Sequence, residues 1–267
     1  MIRIDENMCI RCGKCVCDCI VGILQKGSDG VPMIPEGLEN VCINCQHCLA
    51  ICPAGAVECN NVKASDCFPS GELPESTKML NLLRMRRSVR HYKNENIPPE
   101  IMAQLKDSLA WTPTGCNDHR LAFRIIEDRS QMDFFRQETA SMLKKLIRWG
   151  ILGLFYPRLK HYLNRILAGE DVVYRNAPHM IVALTPKNAP CKEADPWIAL
   201  SYFDLLAQSF KLGTCWCGFA VYAIKFNKKI QKRLNIPKNY KVGSVLLFGS
   251  PSITYARSTN PAQYSLE

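Results

Sequence analysis

Fifteen cysteines stand in 267 residues, and eight of them form a duplicated pattern. Cys9, Cys12, Cys15 and Cys19 read C-x2-C-x2-C-x3-C, and Cys42, Cys45, Cys48 and Cys52 read the same, followed by Pro53. Each cysteine of the first run lies 33 residues before its counterpart, so the two runs are an internal repeat. Thiolates at three-residue steps, delivered by a tight loop, suit the separate irons of a cluster. Disulfides need an oxidising compartment, and Met1 to Glu6 carries no apolar export signal. Zinc favours two separated C-x2-C pairs around one tetrahedral ion. Inert buried thiols would not repeat at a fixed offset.

The spacing resembles the bacterial-type ferredoxin run for [4Fe–4S] clusters. That resemblance implies that the fourth cysteine of each run serves the other cluster. One cluster would take Cys9, Cys12, Cys15 and Cys52, and the other Cys42, Cys45, Cys48 and Cys19. Ile20 stands where a proline often follows, and Cys17 is an extra thiol with no ligand role. Cys59, Cys67 and Cys191 show no partner pattern, and the five histidines no metal spacing.

A second chemistry lies between Arg84 and Lys93, where five basic residues gather around Arg86-Arg87-Ser88-Val89-Arg90-His91-Tyr92. Guanidinium groups and a hydroxyl at a helix end make a phosphate clamp. Nucleic-acid binding would ask for a broad basic face interleaved with exposed aromatics, and this cluster is compact. The stretch resembles the R-R-S-x-R-x-F/Y start of the nitroreductase family, whose members bind FMN. Four more segments follow in the family's order. They are Thr112 to His119, Asn176-Ala177-Pro178, Leu212 to Gly218, and Phe248 to Pro251 with Arg257 beyond. His119 departs from the pattern, standing where the family carries glutamine.

The resemblance implies roles. Arg86, Arg87, Ser88 and Arg90 would hold the FMN phosphate and ribityl chain and reach the isoalloxazine edge. Thr114, Gly115 and Asn117 would contact the flavin, often from the other subunit of a homodimer. Thr214 and Cys215 would pass behind the ring, and Arg257 would complete the phosphate site. Cys116, Cys215 and Cys217 are expected to be small buried residues, with a redox-active thiol as the alternative.

The elements that must position these groups follow from punctuation and period. The Cys-rich stretch ends at Cys67, so residues 1–67 are expected to form a two-cluster ferredoxin-like module. Residues 68–78, with Pro69, Gly71 and Pro74, read as a linker. Residues 79–267 are expected to form an α+β FMN domain. Ser76 is expected to cap a helix bearing Met79, Leu82 and Leu83, and Pro98-Pro99 to open another with Ile101, Leu105 and Leu109. Phe123–Glu127, Met180–Leu184 and Val242–Gly249 read as strands, the last central. Asp195–Leu212 reads as a largely buried helix. Residues 131–175 read as an apolar helical insertion. It is either a pair of packing helices, a mobile cover over a cofactor, or a membrane-surface helix.

The composition, 47% hydrophobic and 22% charged, is that of a globular protein. The longest apolar stretch, Trp149 to Tyr156, is far below the ~20 residues of a membrane-spanning helix, and a cytoplasmic location is expected. The formal charge of +10 counts cysteines as neutral. Two clusters would bring it to about +6, and the FMN phosphate to about +4.

The expected function is an iron–sulfur- and flavin-dependent oxidoreductase. It would pass electrons between clusters and FMN and reduce a nitroaromatic, quinone or similar small acceptor. An electron-donor protein is one source of electrons. NAD(P)H is another, because family members stack it on the flavin, although no G-x-G-x-x-G site is present. The alternatives are an electron-transfer or redox-sensing protein without its own substrate, and a specialised dehalogenase or flavin-processing member of the fold.

Overall fold

The computed structural model describes residues 2–148 and 160–260, with the backbone alone at 160, 161 and 163. The run from Trp149 to Tyr156 lies outside the described residues. The chain divides into two compact units, Met1–Pro74 with Cys116–Asp118, and Glu75–Gly115 with His119–Glu267.

The first unit is built from very short elements. Strand β1 (Ile2–Ile4) pairs antiparallel with β4 (Val57–Cys59), with Ile2 opposite Cys59. Helix α1 (Lys14–Asp18), hairpin strands β2 (Gln25–Lys26) and β3 (Pro32–Met33), and α2 (His47–Ala50) lie between them. Both helices begin after a residue in the left-handed region, Gly13 at φ 71° and Gln46 at φ 60°. The core is small and partly made of thiols. Cys15, Cys48 and Cys59 are buried with Ile23, Leu24, Leu49 and Val57.

The second unit centres on a four-stranded antiparallel sheet. It contains β5 (Ala122–Ile126), β6 (His179–Pro186), β7 (Gly213–Trp216) and β8 (Tyr240–Gly249), in the order β5-β6-β8-β7. Strand β8 is therefore central, as its apolar run implied. Every residue of β6 is buried, because helices cover both faces of the sheet.

Side chains alternate between these faces. Met180, Val182 and Leu184 pack with Met132 and Phe135 of α5 (Met132–Arg148). On the same face lie Ala220 and Ile224 of α8 (Gly218–Phe226) and Ile230 of α9 (Lys228–Arg233). Ile181 and Ala183 pack with Met102 and Leu105 of α4 (Pro99–Ser108) and with Leu200, Phe203 and Ala207 of α7 (Asp195–Ser209). Helix α3 (Ser76–Met85) opens the unit, with Glu75 at its N-cap and Ser76 as its first helical residue. The expected cap is thus one residue off. Helix α7 ends at Ser209, three residues before the expected end, and Gly213 starts strand β7.

Two helices, α5 and α6 (Lys160–Leu167), occupy the described part of residues 131–175. Among the described residues, no helix is long and apolar enough to cross a membrane.

Candidate flavin and cluster sites

The basic segment 86–93 is fixed by main-chain bonds to the end of the sheet. Ser88 forms a parallel bridge with Thr214 of β7, and the Val89 N–H donates to the Thr214 carbonyl at 2.7 Å. Further along, the Lys93 N–H donates to Ser250 O, the Ser252 N–H donates to His91 O, and Tyr92 bridges Pro251. Three sequence-distant motifs thus lie side by side. The approach is close enough to require glycine. A Cβ on Gly213 would stand 2.6 Å from Val89, and one on Gly249 2.4 Å from Pro178.

A buried carboxylate organises the clamp. Asp204 of α7 accepts bonds from the Thr214 hydroxyl, from Trp216 Nε1 at 3.3 Å and from the Arg86 guanidinium at 3.4 Å. Gln208 donates to Thr214 at 2.9 Å, and Trp197 stacks on Trp216. Sequence reasoning missed Asp204. Its signal was a carboxylate midway along an otherwise apolar helix. Arg87 donates to the Arg257 main-chain carbonyl at 3.4 Å and lies over the Tyr255 ring, so the chain at Arg257 returns to the first motif.

The residues suit an anionic group. Arg87 Nε is buried without a hydrogen-bond partner, a donor whose desolvation is offset once an acceptor arrives. Arg86, Arg87 and Ser88 are only partly exposed. Thr214 and Cys215 are buried and form a dry wall beside them.

A cavity of about 760 Å³ opens next to this clamp, a size typical of ligand sites. Arg90, Tyr92, Arg136, Arg165, Tyr174 and Arg175 are among its lining residues. Acidic partners hold two of these arginines. Arg136 pairs with Asp133 and Asp171, and Arg165 with Glu170. Arg175 and Asn176 both adopt left-handed φ, 57° and 54°, in the turn that borders this cavity.

Burial pushes the Tyr92 hydroxyl well above the usual range, and its O–H donates to the Val89 carbonyl at 2.8 Å. Burial likewise raises the Cys217 thiol to about 11, and that thiol donates to the Val173 carbonyl. Cys215 and Cys217 are the small buried residues expected, whereas Cys116 is exposed with φ 54°, a correction to that expectation. It lies in the short surface turn Gly115–Asn117, away from the apolar clusters of the sheet.

Thr114 and Gly115 sit elsewhere. The Gly115 N–H donates to Asp195 at the start of α7, and the Thr114 hydroxyl accepts from the His119 N–H. Asp195 and Asp204 are nine residues apart on one helix, about 13 Å, so Thr114 and Gly115 meet α7 at its start and Arg86 meets it past its middle. Asn117 falls in the first unit, where its amide donates to the carbonyls of Ile43 and Asn44.

In the first unit, a small cavity is lined by Cys9, Cys12, Cys15 and Cys52, together with Ile4, Ile10 and Val57. This combines three cysteines of the first run with the fourth of the second. The Ala56 N–H donates to Cys52 Sγ at 3.3 Å, and the Asn44 N–H to Cys42 Sγ at 3.4 Å. Such donors stabilise thiolate. Among the described residues, no three His, Cys, Asp or Glu side chains converge as the ligands of a single ion do. A cubane asks for a different arrangement, with each thiolate on a different iron and the sulfurs spaced around a void. The donor chemistry at Cys9, Cys12, Cys15 and Cys52 fits that demand.

Comparison with known proteins bears on the second unit. Residues 83–250 match the model of the nitroreductase family. The chain is 24% identical over 176 residues to an iodotyrosine deiodinase of Thermotoga neapolitana, a match covering 65% of this chain and 89% of that protein. In fold it is similar to a nitroreductase with bound FMN from Desulfitobacterium hafniense. That likeness has a TM-score of 0.58 and 21% identity, covering 71% of this chain and 98% of the other. A nitroreductase with bound FMN from Bacteroides fragilis aligns with a TM-score of 0.58 and 17% identity, covering 71% and 98%.

Proposed function

The chain belongs to the nitroreductase family, and from that premise we propose that it is an FMN-dependent oxidoreductase carrying its own iron–sulfur electron module. It passes electrons between two [4Fe–4S] clusters and FMN, and it reduces a small conjugated acceptor such as a nitroaromatic or quinone. The observation that carries this reading is the Ser88–Thr214 bridge, which brings the arginine-rich segment and the buried β7 wall together.

The flavin phosphate is held by Arg86, Arg87 and Arg257, with the Ser88 hydroxyl beside them. Arg90 would contact the isoalloxazine edge. Thr214 and Cys215, both buried, would keep water from one face of the ring. Exchange of one or two electrons is the chemistry that FMN supplies when bound. The arginine-lined cavity next to Arg90 gives an acceptor a place to bind, which favours an enzyme over a sealed electron carrier.

Thr114, Gly115 and Asn117 serve the flavin of a second copy in a two-fold homodimer. Support comes from the aromatic residues left exposed on α7 and α8, namely Trp197, Tyr202, Phe219, Tyr222 and Phe226. Such a patch marks an interface. A monomer at micromolar concentration with FMN bound would remove this part of the reading.

In the first unit, Cys9, Cys12, Cys15 and Cys52 hold one cluster, and Cys42, Cys45, Cys48 and Cys19 the other. Purified anaerobically, the protein is expected to be brown, with about eight irons and one FMN per chain. Stoichiometric zinc with little iron would overturn the cluster assignment.

Specialised dehalogenation is a second reading, favoured by the deiodinase relative. One experiment separates the readings. The flavin is reduced anaerobically with NADH, NADPH or reduced ferredoxin, and then offered nitroaromatics, quinones and halogenated phenols. Turnover confined to the halogenated phenols selects dehalogenation. A reduced flavin reoxidised by none of them sinks the acceptor-reductase reading.

A further inference from the structure

The cavity beside Arg90 holds more guanidinium groups than it has carboxylates to pair with them. Arg90, Arg136, Arg165 and Arg175 line it, against Asp133, Glu170 and Asp171. All three acids are taken. Asp133 and Asp171 pair with Arg136, and Glu170 pairs with Arg165. Among the described residues, neither Arg90 nor Arg175 pairs with a carboxylate.

The fold holds Arg175 in place without using its side chain. The Asp171 carboxylate accepts from the N–H groups of Tyr174 and Asn176 at 2.8 and 3.0 Å, and the Asp171 carbonyl accepts from the Arg175 N–H. Arg136 of α5 donates to the Ala177 carbonyl at 2.7 Å, and the buried Tyr174 hydroxyl bonds to Thr139 of the same helix. The turn is thus pinned on both sides of Arg175. Arg175 is half-buried, yet its guanidinium has no acceptor among the described residues. A partly desolvated cation without a counter-charge carries a cost that an arriving anion removes.

That anion is not the flavin phosphate. Arg86, Arg87, Ser88 and Arg257 are absent from the cavity's lining. In the reading above the flavin draws on Arg90 and leaves Arg175 over. Two features of the lining select a carboxylate. The guanidinium fork matches its two oxygens. The three acids nearby repel the second negative charge that a phosphate would bring. Leu143, Ile166, Val172 and Tyr92 supply apolar surface for a ring.

We propose that Arg175 is a specificity-determining residue that binds the carboxylate of the acceptor, so that the preferred acceptors are conjugated rings bearing a carboxylate. The inference rests on the reading that an acceptor binds in this cavity. The carboxylate only anchors, and no bond to it forms or breaks.

The test uses the holoenzyme, with FMN and clusters in place. Binding of 4-nitrobenzoate and of the neutral 4-nitrobenzamide to the oxidised protein is measured by calorimetry at neutral pH, where the carboxylate is ionised. Wild type is expected to bind the carboxylate roughly 10- to 150-fold more tightly, the worth of one charge-assisted pair. Arg175→Asn removes the guanidinium and suits a left-handed backbone. It is expected to bring the two affinities together and to keep its FMN. Arg175→Lys keeps the charge without the fork and should recover part of the preference. Equal affinities in wild type, or a preference that survives in Arg175→Asn, overturns the proposal. Loss of FMN from Arg175→Asn also overturns it, because the arginine then belongs to the flavin. Wild type and Arg175→Lys decide alone if Arg175→Asn does not fold.

Phenyl phosphate is expected to bind more weakly than 4-nitrobenzoate, and tighter binding would overturn the choice of a carboxylate. Reduced holoenzyme is then mixed anaerobically with 4-nitrobenzoate, and flavin reoxidation upholds both readings. Arg175-dependent binding without reoxidation sinks the acceptor-reductase reading and upholds the carboxylate site.

Discussion

The two units of this chain hold themselves together by different means. In the second, an eight-residue and a ten-residue strand lie side by side at the centre of a sheet covered on both faces. In the first, no strand exceeds three residues, neither α-helix exceeds five, and cysteines take up places in the core itself. A unit of about 75 residues with so thin an apolar core is marginal on its own. The difference teaches that thiols can serve as core where apolar side chains are few, and under the two-cluster proposal stability in that unit follows the ligand. In the second unit the site is a graft on a sheet that stands without it.

The sharpest way to break this comparison is to remove the metal. Anaerobic chelation of iron is expected to abolish amide hydrogen-exchange protection across residues 2–74, while β6 and β8 keep theirs, because metal binding and folding are coupled in such modules. Retained protection in the first unit would show that its core suffices. Next in size, Phe203→Ala empties a fully buried site between α7 and the sheet. It should cost the second unit about 3–5 kcal/mol in denaturant unfolding. Iron content should not change, and loss of iron would mean that the units are not independent.

A smaller effect is expected at the flavin clamp. Arg86→Ala removes a charge-assisted bond of about 1.5–3 kcal/mol, so FMN affinity should fall roughly 10- to 150-fold. Lys78→Ala, on exposed α3, should leave it unchanged. Flavin fluorescence titration of apoprotein distinguishes them. Equal affinities for Arg86→Ala and wild type would mean that the basic segment is a solvated face.

The smallest effect is a pH slope. His179 is buried, its Nε2 accepts from the Ile97 N–H at 3.0 Å, and its Nδ1 lies 3.1 Å from the Ile126 carbonyl. Both bonds need the neutral ring with the proton on Nδ1. Burial holds its pKa below the usual 6.5. The unfolded chain therefore binds the proton first as pH falls. Stability is full above about pH 6.5 and declines below it, by at most about 1.4 kcal/mol per pH unit. Unfolding midpoints from pH 7.5 to 5 should show this slope in wild type, and His179→Gln should flatten it.

What was legible in the sequence was local or periodic. The two cysteine runs declare themselves as a repeat at a fixed offset of 33 residues. The strands around Met180 and Val242 and the helices at Pro99 and Asp195 follow from apolar runs bounded by Pro and Gly. Their true ends differ by up to three residues, because a terminal turn is settled by what packs on it. The basic segment 84–93 was visible as a compact cluster. The short strand β7 was not, because four residues carry no period.

The amino-acid sequence by itself determined which residues could do chemistry and in which segment each lies. Tertiary structure alone decided which of them meet. Asp204 joins Arg86 across 118 residues, and Arg257 comes back to Arg87 across 170. Thr114 and Gly115 meet the start of α7, nine residues before the carboxylate that Arg86 meets, and Cys59 is buried in one cluster with Cys15 and Cys48. None of these pairings has a spacing to read. Each is set by how strands register and helices stack, a choice made by burying whole faces of apolar surface and not by the residues that meet there.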